Sequence, residues 1–210
     1  MSKEKFLSLI KNQRKQKKVK RFSGTFIDYL ELISENPDIV KSSHKRLYDA
    51  LTSYGVEIIE DSDPRKNKIF DGDNVKIYAY FKSNFFGMER VISKIMRFLR
   101  SASLKGEESR QVLLLMGPVG AGKSDLTENI KRSLEGETFF HLGGDPQRGE
   151  PLHLIPRNLR DKFTEELGIH IDGDISPIAR FKLLEEYDGK YENFPVVETS
   201  FSQRARRGIA

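Results

Sequence analysis

The 210 residues contain no cysteine. Disulfides, thiolate zinc sites, iron–sulfur clusters and cysteine nucleophiles are thereby excluded. Histidine is scarce: the four (His44, His141, His153, His170) never fall at the i, i+4 spacing of a helical metal pair. Long apolar runs are missing too, none approaching the ~18 residues of a membrane helix. The opening Met1–Ile10 offers a short apolar patch soon followed by lysines, too little for a secretory h-region. A cytoplasmic protein with no membrane partner is the expectation. What remains, 37% hydrophobic and 32% charged residues, is the composition of a soluble globular chain.

The formal net charge of +5 is unevenly placed. Residues 1–21 carry nine Lys or Arg against the single acid Glu4, so the surplus belongs to a basic arm and the remainder is mildly acidic. Such an arm can serve nucleic acid or an anionic surface. It lacks the interleaved aromatics of a single-strand platform, and a solvated, partly helical leader is the favoured reading.

After the arm, Thr25 can cap a helix with Phe26, Tyr29, Leu30 and Ile33 on one face, broken at Asn36-Pro37. A second helix is expected from Ser42 or Ser43 through Leu51, closed by Gly55, which makes residues 20–55 read as a helical hairpin. Val56–Ile59 and Val75–Phe81 have strand composition and are separated by a charged, turn-rich segment. A helix with Val91, Ile92, Ile95, Met96 and Leu99 follows, then a polar connection at Ser101–Arg110. Beyond a strand at Thr138–Leu142 and a loop at Gly143–Gly149, Pro151–Pro156 reads as extended. Two more helices are expected, one presenting Leu159, Phe163 and Leu167 before Gly168, the other starting at Ser176-Pro177 with Ile178, Phe181, Leu184 and Tyr187.

The chemistry is concentrated in the middle. Gln111–Met116 is a continuous apolar run, the mark of a strand buried on both faces of a parallel sheet. It ends in Gly117-Pro118-Val119-Gly120-Ala121-Gly122-Lys123-Ser124, which matches G-x-x-x-x-G-K-[ST], and a helix with Leu126, Ile130 and Leu134 comes next. Glycines at 117, 120 and 122 permit the tight turn that aims successive N–H groups at a β-phosphate. The helix beginning near Lys123 adds its positive end. Lys123 would span the β- and γ-oxygens of ATP, and Ser124 would offer its hydroxyl to Mg²⁺. All eight residues of the loop are therefore candidate nucleotide ligands.

A Walker A loop alone does not establish hydrolysis, which needs an acid at the end of a second buried strand. Asp172 after Ile169-His-Ile and Glu198 after Val196-Val197 are weak candidates, and no catalytic residue is assigned. The residues after Ser124 leave room for only two or three strand–helix units at ~30 residues each, so the sequence looks truncated. Walker B, sensor and arginine-finger residues are expected beyond residue 210; Arg204, Arg206 and Arg207 read better as a solvated basic turn.

The loop form, preceded by Phe85-Phe86-Gly87-Met88-Glu89, resembles the AAA+ arrangement, and four longer stretches narrow the likeness. Gly24–Leu30, Leu113–Ser124, Pro151–Pro156 and Phe201–Gly208 resemble the N-terminal AAA domain of the bacterial PrkA serine protein kinase family. The resemblance covers residues 22–210 and implies an α/β P-loop NTPase with a parallel sheet and flanking helices, preceded by a small helical region. Together with the basic arm that the charge pattern marks at 1–21, it suggests a helical N-terminal region at 22–84 and a partial AAA+ ATP-binding domain at 85–210. It further implies that Phe86, Gly87 and Met88 border the nucleotide base, that the chain forms a homo-oligomer, and that a protein is the phosphorylated substrate. His153 and Asp161 could be read as a family site, though His153 fits a buried, hydrogen-bonded residue better. No H-R-D, D-F-G or V-A-I-K signature of ordinary protein kinases occurs. Two alternatives remain: a nucleic-acid-dependent P-loop ATPase, motivated by the arm, and a small-molecule P-loop kinase, disfavoured by the 116 residues before the loop.

Overall fold

A computed structural model describes residues 21–60, 62–68, 70 and 75–201. The basic arm up to Lys20 and the cluster at Arg204–Arg207 lie outside the described residues. Those described fall into two compact units, one made of 21–37 and 138–199, the other of 38–137 with 200–201.

The first unit is built on a three-stranded sheet. Strand β1 (Ser23–Thr25) pairs antiparallel with β5 (Pro195–Ser200), Gly24 facing Val196, and β5 is flanked on its other side by β4 (Thr138–Leu142). Helix α1 (Phe26–Glu35) starts where the sequence places it. The Thr25 hydroxyl accepts the Asp28 N–H, and the Asp28 carboxylate takes the Thr25 N–H at 2.7 Å, a complete capping box. Phe26, Tyr29 and Ile33 are buried. Phe26 meets Tyr191 edge-on with centroids 6.3 Å apart, and Tyr29 tilts against Phe140 at 5.2 Å while its hydroxyl donates to Glu150. Each such aromatic contributes roughly 1.5–3 kcal/mol by leaving water. Pro151–Pro156, expected to be extended, instead opens with a 3-10 turn at Pro151–Leu154 that buries Pro151, Leu152 and Leu154. A proline at the first position suits a helical start, because its missing N–H has no partner there anyway. Helices α6 (Arg160–Leu167) and α7 (Pro177–Glu185) close the unit. Gly168 ends α6 in the left-handed region and the Ser176 hydroxyl caps α7.

The second unit packs α2 (Ser43–Thr52), capped by Ser42, against the long α4 (Glu89–Ser103). Strands β2 (Val56–Ile58) and β3 (Lys76–Tyr78) form an antiparallel pair, and the charged stretch between them contains a short helix α3 (Pro64–Lys68). The core is Leu51, Tyr78, Phe81, Ile92, Ile95, Met96, Leu99 and Leu126, the last from α5 (Lys123–Arg132). Val91, expected on the apolar face of α4, is exposed.

Three further expectations are corrected. Helices α1 and α2 are not a hairpin, since they belong to different units and bury their apolar faces in different cores. The two strand pairings with a defined register are antiparallel, so a parallel sheet is not what these strands build. Gln111–Met116 forms no sheet strand: Leu115 packs on the core, while Val112, Leu114 and Met116 are 91%, 73% and 83% exposed. Apolar composition signals a strand that wants two covered faces, but covering them takes partner strands that the described residues do not supply.

Candidate phosphate site

The segment after Met116 turns sharply before α5. Gly120 has φ +82° and Gly122, the residue preceding the first helical turn, φ +74°. Both lie in the left-handed region, which L side chains occupy only at a cost, so these two glycines are required by the turn itself. A β-carbon added at Gly122 would approach the Met88 sulfur to 3.6 Å. The N–H groups of Lys123, Ser124 and Asp125 in the first turn of α5 precede the first helical bond, from Leu126 to Gly122, and the helix dipole adds to their positive potential, while the Ala121 N–H donates to the Pro118 carbonyl at 3.4 Å. That donor set suits a polyphosphate.

Lys123 lies on the first turn of α5 with its ammonium folded back onto the loop, donating to the Gly117 and Pro118 carbonyls at 2.8 and 2.6 Å. Ser124 is exposed beside it. Val119 stands fully in solvent at the loop apex.

A cavity of about 620 Å³ opens next to the loop, lined by Gly120, Ala121 and Gly122 together with Asn84, Phe86 and Met88 among others. The loop and the 85–88 box, 29 residues or more apart in sequence, therefore meet at one site in one unit. Phe86 is 98% exposed. Gly87, with φ +73°, turns the chain between Phe86 and Met88 but does not itself line the cavity.

The two acids considered for metal work are engaged within the first unit. Glu198, on β5, accepts the Phe22 N–H at 3.0 Å, and Asp172 accepts the Gly173 N–H in an exposed turn. Both belong to the first unit, as do His153 and Asp161. Among the described residues no group of three metal-ligating side chains assembles, and no helix is long and apolar enough to cross a membrane. The sequence reading missed Asn84, Asp125, Glu128, Asn129 and Arg132 as cavity residues. For the last four the signal was available, since positions 125, 128, 129 and 132 share one helix face.

The family described as the PrkA AAA domain matches residues 24–210. The chain belongs to that family. It is 35% identical over 210 residues to the ATP-dependent protease PrkA of Bacillus subtilis (strain 168), a match covering 97% of this chain and 31% of that protein. The serine/threonine kinase YeaG of Escherichia coli (strain K12) is 29% identical over 184 residues, 83% of this chain and 28% of the relative. A Lon protease from Leptospira interrogans is 24% identical over 153 residues, 67% of this chain and 18% of its own length. The chain thus spans about a third or less of these relatives, one named a kinase and two named proteases. No solved structure matches.

Proposed function

We propose that this chain is the ATP-binding AAA domain of a PrkA-like protein, holding MgATP on the loop Gly117–Ser124. The observation that carries the reading is the geometry at 120–123: two left-handed glycines, a helix start and a lysine that reaches back over the loop. In this reading the Ala121 N–H leaves the Pro118 carbonyl so that the backbone N–H groups of Val119–Ser124 hold the β-phosphate, Lys123 leaves its two carbonyls for the β- and γ-oxygens, and the Ser124 hydroxyl reaches Mg²⁺. Phe86 and Met88 then border the base.

The resemblance to a serine protein kinase family and the name of the E. coli relative support phosphotransfer to a protein by the whole molecule; the B. subtilis name supports ATP-driven proteolysis. Both activities use the same module, and what this domain contributes to either is nucleotide binding that drives or gates a conformational change in a cytoplasmic homo-oligomer. Calorimetric titration of ATP with and without Mg²⁺ tests the reading. Binding that strengthens with Mg²⁺ and largely disappears in Lys123→Ala supports it. Equal ATP affinity in the two proteins overturns it.

A further inference from the structure

Helix α5 acts as a ruler running away from the phosphate loop. Asp125, Glu128, Asn129 and Arg132 all line the cavity that the loop borders, as expected for one face at i, i+3, i+4 and i+7. Asn129 lies six residues past Lys123, about 9 Å along the axis. A nucleotide whose phosphates sit on the loop would place its sugar and base along this face.

Asn129 is nearly buried. Its backbone carbonyl accepts the Tyr80 hydroxyl at 2.7 Å, which fixes this turn of α5, and its side-chain Oδ1 accepts an N–H from Asn84 at 3.3 Å. The contact joins two carboxamides whose residues both line the cavity. A carboxamide has one acceptor oxygen and two N–H donors. Once the Asn84–Asn129 bond is made, the pair still has the Asn84 oxygen as acceptor and the Asn129 amide as donor. A 6-amino purine presents the complement, an exocyclic N–H donor beside a ring-nitrogen acceptor. A 6-oxo purine presents its oxygen acceptor where the amine stood, against the Asn84 oxygen. Beside the pair, Phe86 holds its ring open to solvent, and an aromatic face stacks on either base with little preference.

We propose that the Asn84–Asn129 carboxamide pair selects the base of the bound nucleotide, accepting a 6-amino purine and disfavouring a 6-oxo purine. This rests on the phosphate-loop reading above. Both carboxamides contact the base in this scheme, the Asn84 oxygen accepting from the exocyclic amine and the Asn129 amide donating to the ring nitrogen, and Phe86 adds affinity without selectivity.

The test is calorimetric titration of the whole chain with MgATP and with MgGTP, for the wild type, Asn84→Ala and Phe86→Ala. Asn84 is exposed, so its replacement spares the core, and GTP affinity serves as an internal control for an intact loop. Wild type should prefer ATP. Asn84→Ala should lower the ATP-to-GTP affinity ratio about tenfold, the effect of one good base-edge contact, through weaker ATP binding and GTP binding that is retained or strengthened. Phe86→Ala should weaken both nucleotides by similar factors and leave the ratio alone. Equal wild-type affinities, or a ratio that Asn84→Ala does not move, overturn the assignment while the phosphate loop stands. A ratio that moves as far in Phe86→Ala overturns it as well. A wild-type chain that holds neither nucleotide overturns both readings together.

Discussion

Lys123 occupies its own loop. Two carbonyl oxygens within 2.8 Å satisfy the ammonium, so an arriving triphosphate must offer more than Gly117 and Pro118 already do. A charge-assisted bond to an anion exceeds one to a neutral carbonyl, which sets the direction of the exchange. Lys123→Ala should therefore abolish most ATP affinity while the melting temperature stays within a degree or two of wild type, read by calorimetry and by thermal melts of the same samples. The other informative side chain at this scale is Asp28. The Thr25 backbone N–H, and then the Thr25 hydroxyl, donate to its carboxylate and hold its pKa below the ordinary carboxylate value. A lowered folded-state pKa means stability that is present above the unfolded value and lost as pH falls through the folded one. Asp28→Asn should thus melt below wild type at neutral pH, and the gap should close on acidification into the range beneath the usual carboxylate pKa. A gap that persists at acid pH would show that packing, and not the ionised cap, is responsible.

Among elements, helix starts were legible and helix faces less so. Thr25, Ser42 and Ser176 cap the helices that follow them, because an N-cap is a contact within four residues and needs nothing from the rest of the chain. Which face of a helix is buried depends on distant partners. Helix α7 is the clearest case: the spacing of Ile178, Phe181 and Leu184 suggests a core stripe, yet all three are exposed and the fully buried residue is Ala179. Replacing Ala179 with Leu should cost about 1–3 kcal/mol through overpacking. Phe181→Ser should change stability by no more than about 0.5 kcal/mol, as at an ordinary surface position. Paired chemical melts of the two variants check the order, and the reverse order would move the buried face to the other side of α7. The phosphate loop was legible for the opposite reason. Its glycines, lysine and serine are consecutive, whereas Asn84 and Asn129 meet across 45 residues and carry no local mark.

For the whole molecule, chain order and spatial order part company. The first unit takes its opening from residues 21–37 and its remainder from 138–199, with the second unit inserted between. Reading helices α1 and α2 as a hairpin follows from their adjacency in sequence, and nothing local says that the chain changes unit at Pro37. Strand β1 was hidden likewise, since its partners lie 170 or more residues later, whereas β2, β3 and β4 fall where strands were expected. Family membership was visible early, carried by stretches such as Pro151–Pro156, even though the conformation of that stretch was misread.

The bare stripe of Val112, Leu114 and Met116 limits how this polypeptide behaves alone. Unzipped apolar backbone templates contact with whatever strand comes near, and another molecule of the same kind is the nearest at high concentration. Sedimentation velocity should show mass rising with loading concentration, and Leu114→Lys should suppress that rise without altering ATP affinity; a flat profile for the wild type would mean that the stripe is harmless. The same stripe sets a handling rule: dilute samples will report on the nucleotide cavity, and crowded ones on clumping.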